Sequence, residues 1–109
     1  MTLDDFRRVA LSLPEAVEGG HMGRTDYRVG NRIFASLHPD KDAGMVILKP
    51  EEQAMLVEAE PAMFSPLPGG WGKNGSTLVH MGAVDEATLR DALIRAWRHR
   101  APPSAIAAL

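Results

Sequence analysis

The strongest constraint on this chain is an apolar stripe near its C-terminal end. Leu89, Ala92, Leu93, Ala96 and Trp97 fall at positions i, i+3, i+4, i+7 and i+8, the spacing of one face of an α-helix. A stripe of this width has to be buried, and a lone helix has nothing to bury it against. The rest of the chain must therefore supply a layer for it to pack on. Asp85 is placed to cap the start of this helix, and Ala101-Pro102-Pro103 stops it.

That layer reads as a sheet. Thr2-Leu3-Asp4-Asp5 has the form of a capping box, and Leu3, Phe6, Ala10 and Leu13 then recur at helical steps until Pro14 ends the helix. Glu15 to Arg24, with Gly19, Gly20 and Gly23, reads as a loop. Asp26–Val29 and Arg32–Leu37 are strand-like, and Gly30-Asn31 between them is a two-residue hairpin turn. Tyr27 and Val29 are expected on one face, as are Ile33, Ala35 and Leu37. Met45–Leu48 is a short apolar strand, Pro50 opens a second helix that Pro61 ends, and Ser76–Met81 is a fourth strand. The expected fold is α+β: an antiparallel four-stranded sheet with helices packed on it, in the order α-β-β-β-α-β-α. Residues 1–103 form a single domain on this reading, and 104–109 a C-terminal tail.

Composition excludes several functions. With 109 residues the chain can bury a real core without staples. It has no cysteine, which removes disulfides, thiolate metal sites and thiol catalysis. The first residues, Met1-Thr2-Leu3-Asp4-Asp5, lack the bases and the apolar run of a signal peptide, and no apolar run approaches the roughly 18 residues of a membrane span. A cytoplasmic protein without a membrane partner is expected. A net charge of −2 argues against strong non-specific nucleic-acid binding, though a local basic face remains open.

Pro66 to Thr77 is the segment with a claim to function. Four glycines and two prolines make it irregular backbone, and it carries Trp71. Gly70-Trp71-Gly72-Lys73-Asn74-Gly75 spells G-x-G-x-x-G, but it leads into a strand, and a dinucleotide site needs the motif at a helix N-terminus. No cofactor follows from it. Trp71 is either a plug folded onto the core or one wall of a surface groove. The plug is the expectation, because large aromatic rings bury most of their surface.

His21, His38, His80 and His99 are too scattered for a metal site, and only His21, between glycines, sits where a ligand contact is natural. No nucleophile motif and no catalytic acid pair occurs, so no enzyme is expected. Arg90, Arg95, Arg98, His99 and Arg100 concentrate positive charge on the last helix. The helix dipole and an Asp91–Arg95 pair explain much of that cluster.

Taken together, Leu11-Ser12-Leu13-Pro14-Glu15, Val29-Gly30-Asn31-Arg32-Ile33-Phe34-Ala35, Leu48-Lys49, Gly70-Trp71-Gly72 before Thr77-Leu78-Val79, and Asp85 with Leu89, Leu93 and Ala96-Trp97 resemble the MmcQ/YjbR family of small bacterial proteins. The resemblance spans residues 2 to 102. It implies an α/β sandwich-like domain likened to a double-wing DNA-binding domain, and members are often labelled DNA-binding. It brings no agreed catalytic residues. The expectation is a non-enzymatic DNA-binding or regulatory module, binding weakly and with steep salt dependence. Its contacts would come from Arg28, Arg32, Lys73, Arg95 and Arg98. The alternative is a domain for a small acidic or aromatic ligand, a peptide or a protein partner. That domain would use a groove by Trp71, with Lys49, Lys73 and His21 as polar anchors.

Overall fold

Thr2 caps the first helix, α1 (Leu3–Leu11), as the sequence predicts. The Asp5 N–H donates to Thr2 Oγ1 at 3.1 Å, and the Thr2 N–H donates to the Asp5 carboxylate at 2.7 Å. The computed structural model describes residues 1–109. After α1 the chain runs through β1 (Val17–His21), β2 (Arg24–Val29), β3 (Arg32–His38), β4 (Ala43–Ile47), α2 (Pro50–Ala59), β5 (Phe64–Pro66), α3 (Gly70–Lys73), β6 (Ser76–His80), α4 (Glu86–Arg100) and α5 (Pro103–Ala107). The strands form one antiparallel sheet in the order β1-β2-β3-β4-β6-β5.

The sheet has six strands, not the expected four, and both additions lie at its edges. Val17–His21 falls inside the segment expected to be a loop. It carries two glycines and no apolar alternation, yet it pairs with β2 over five residues. An edge strand with four of its five residues exposed has little core to bury, so hydrophobic patterning does not reveal it. Phe64–Pro66 is three residues long and ends in a proline, which an edge strand tolerates because one side of it needs no partner. The expected tail also changes character: Pro103–Ala107 forms a helical turn that buries Ala105 completely.

The core lies on one face of the sheet, where α1 and α4 cover it. Phe6, Val9, Tyr27, Phe34, Val46, Val79, Leu89, Leu93 and Trp97 are fully or almost fully buried there. The α4 stripe accordingly points inward. The Trp97 indole N–H reaches the Pro14 carbonyl at 2.9 Å, so its one polar atom is satisfied. Register slips between β2 and β3: Tyr27 pairs with Ala35 but Arg28 with Ile33, leaving Phe34 as the extra residue of a bulge. The bulge sends Phe34 and Ala35 into the core and turns Ile33 to the other face, against the simple alternation expected for Ile33, Ala35 and Leu37.

Candidate functional site

No long helix covers the second face of the sheet. One row crosses all six strands through Gly19, Asp26, Ser36, Met45, Leu78 and Ser65. A second places His38 and His80 on either side of Ala43. Ala43, Met45 and Leu78 form a small apolar cluster on this face, with Ile47 and Leu67 packed against it. Over this cluster lies an open groove of about 390 Å³. Ile33, Met45, Ile47 and Leu67 give it an apolar lining, and Asp26, Ser36, His38 and Ser76 supply polar points. The β1–β2 hairpin tip bounds it with His21, Met22 and Arg24, and Trp71 forms the other wall.

Trp71 is 74% exposed, which overturns the expectation of a core plug. The Pro/Gly segment closes into the short helix α3, and this turn is held from behind. Gln53 of α2 is buried, and its side-chain amide donates to the Gly72 carbonyl at 2.9 Å and lies 3.1 Å from the Ser76 carbonyl and Thr77 Oγ1. A Cβ on Gly72 would stand 1.7 Å from the Leu67 carbonyl oxygen, so only glycine lets the turn fold this tightly. The contortion serves to anchor the loop backbone through Gly72 and Gln53, while the indole projects outward. Met22, at the facing rim, is 91% exposed. Large apolar groups left in water on both rims of an apolar groove are characteristic of a binding surface.

The polar groups in the groove and beside it on the same sheet are organised. Arg28 grips the Asp26 carboxylate with two donors, at 2.9 and 3.1 Å, and Asp26 is only 2% exposed. Gly19 leaves room for this fork, since a Cβ there would meet Asp26 Oδ1 at 2.9 Å and Arg28 Nε at 3.1 Å. His38 Nε2 lies 3.2 Å from Ser36 Oγ, and His80 Nε2 lies 2.7 Å from Ser65 Oγ. Burial lowers the His38 pKa below its ordinary value, and the neighbouring Arg24 charge adds to the effect, so His38 is neutral at neutral pH. Arg24 Nη1 donates to the Leu37 carbonyl at 2.7 Å.

The residues singled out in the sequence do not converge. Trp71 and His21 share the groove. Arg28 is engaged by Asp26, and Arg95 by Asp91 at 2.8 Å and Glu52 at 3.3 Å. Lys49 lines a separate hollow, and Arg32, Lys73 and Arg98 are exposed outside the groove. Burial pushes the Glu52 carboxyl up, but its contacts with His99, the Lys49 N–H and Arg95 outweigh burial and hold it below the ordinary range. Sequence reasoning missed the groove floor. The only signal was that Ser36 and His38 alternate with Ala35 and Leu37, which reads equally well as a solvated face.

The YjbR family model matches residues 11–99. The chain belongs to the YjbR family. A crystal structure of a Deinococcus radiodurans protein with a DUF419 domain is similar in fold, with a TM-score of 0.72 at 24% identity, covering 88% of this chain and 75% of that one. No curated protein matches the chain. The YjbR match extends from the end of α1 to the penultimate residue of α4, and so takes in the whole sheet, both rims of the groove and the Trp71 turn. No helix of this YjbR-family chain is long and apolar enough to cross a membrane.

Proposed function

We propose that the protein is a cytoplasmic binding module, not an enzyme, and that its ligand is a small molecule with an aromatic or apolar body and an acidic group. The carrying observation is the exposed Trp71 ring standing over an apolar groove of about 390 Å³ on the uncovered sheet face. A site of this size, apolar with a few convergent polar groups, suits a small ligand. The indole stacks on the aromatic body, while Arg24, at the far rim, supplies the cation for the acid. Anilinonaphthalene sulfonate, an aromatic anion, is a direct probe. Titrated against a Trp97→Phe background, it should quench Trp71 fluorescence saturably, and Trp71→Ala should abolish its binding. Binding of equal strength to the Trp71→Ala protein would sink this reading.

DNA is the second reading, favoured by Arg32, Lys49, Lys73 and Arg98, none of which is ion-paired within the chain. Phosphate contact by these bases predicts weak association that falls steeply with salt. A polarisation titration of duplex DNA at low salt, flat up to high micromolar protein, would remove it.

A further inference from the structure

A second hollow, of about 210 Å³, lies where the C-terminal end of α4 meets the start of α2. It adjoins the groove through Ile47, which lines both, but its chemistry is cationic. We propose that this hollow is a phosphoryl-oxyanion site, with Lys49 and Arg100 as its charged ligands and Asn74 as a neutral donor.

Three observations point the same way. First, Lys49 and Arg100 both line the hollow, and neither has a carboxylate partner in the chain. Glu52, the acid at the start of α2, is already engaged by His99 at 2.5 Å, Arg95 at 3.3 Å and the Lys49 N–H at 3.1 Å. Second, Arg100 Nε is buried with no hydrogen-bond acceptor. A guanidinium is an obligate donor, and leaving part of it dry and unpaired is costly. Third, burial disfavours the Arg100 charge and the positive charge of Arg32 adds to that effect, so an anion beside Arg100 would relieve both. The hollow therefore holds two cations, Lys49 and Arg100, with no carboxylate paired to either, an arrangement that an oxyanion completes. The dipole of α4 accounts for cations near its end, such as Arg98, but it supplies no acceptor to Arg100. The ten-residue helix α2 also starts at this hollow, and its positive end favours an anion.

The test uses inorganic phosphate titrated into the full chain at constant ionic strength, with sodium chloride as the control. Two-dimensional nitrogen–proton NMR should show saturable shifts of the Arg100 Nε–H and Asn74 amide signals with phosphate and none with chloride. Lys49→Ala and Arg100→Gln should each weaken binding roughly tenfold, the worth of one charge-assisted hydrogen bond. Lys73→Ala, outside the hollow, should leave it unchanged. Should Arg100→Gln not fold, Lys49→Ala carries the comparison alone, because its side chain is exposed. An oligonucleotide with a terminal phosphate, compared with one ending in a hydroxyl, separates two sources of the same group. Preference for the phosphorylated end assigns a nucleic-acid terminus, and no preference assigns free phosphate or a small phosphorylated molecule. Phosphate shifts no larger than those of chloride, or equal losses in Lys49→Ala and Lys73→Ala, would overturn the proposal.

Discussion

The two faces of one sheet carry the two tryptophans to opposite ends. On the covered face Trp97 is completely buried in the core, with its N–H bonded to the Pro14 carbonyl. On the open face Trp71 is 74% exposed at the rim of a groove. The ring is the same, and the surroundings differ: Trp97 belongs to a helical stripe that packs as a unit, whereas Trp71 rides on one short turn fixed by its backbone. The difference separates stability from binding, and four substitutions test how cleanly.

The largest effect should come from Trp97→Ala, which removes a fully buried aromatic and should cost about 3–5 kcal/mol in a denaturant titration. A loss below about 1 kcal/mol would mean that the covered face tolerates a hole the size of an indole. Next is Gln53→Leu, which leaves the Gly72 and Ser76 carbonyls and Thr77 Oγ1 without the Gln53 amide. A loss of about 1–3 kcal/mol is expected, together with a lower Trp71 fluorescence anisotropy in a Trp97→Phe background as the turn loosens. Unchanged Trp71 anisotropy would show that the turn needs no support from α2.

A smaller effect is a pH dependence localised on the open face. The His38 pKa is lowered in the fold, so below the ordinary value of 6.5 the unfolded chain takes up a proton before the folded one does. Stability from this group is fully present above 6.5 and declines as pH falls through the folded value. The denaturation midpoint should therefore drop between neutral and mildly acidic pH, and less so in His38→Gln. Glu52, whose folded pKa is also lowered, acts in a separate window: its stabilisation is lost only as pH falls below 4.5 and through its folded value. An identical pH profile for wild type and His38→Gln would place the sensitivity elsewhere.

The smallest stability change is expected for Trp71→Ala, within about 0.5 kcal/mol, as for other exposed positions. Binding in the groove should nevertheless collapse, as it does when an aromatic hot spot is truncated. A stability loss approaching that of Trp97→Ala would erase the contrast between the faces.

By itself the sequence determined the covered face. The 3.6-residue stripe of α4, the Thr2 and Asp85 caps, the Gly30-Asn31 turn and the apolar strands are local signals, and each element formed where its pattern placed it. The MmcQ/YjbR resemblance was legible largely for the same reason, since most of its residues lie in those elements, with Gly70-Trp71-Gly72 and Lys49 outside them. Tertiary structure alone decided the open face. The strands Val17–His21 and Phe64–Pro66 are held by pairing partners and not by their own propensity. The β3 bulge that turns Ile33 into the groove is a matter of register between two strands. Trp71 points outward because Gly72 and Gln53 fix the backbone beneath it, a contact nineteen residues apart in the chain that no local pattern encodes. A stripe announces that it must be buried, but a surface left open is defined by what fails to cover it, and only the assembled fold specifies that.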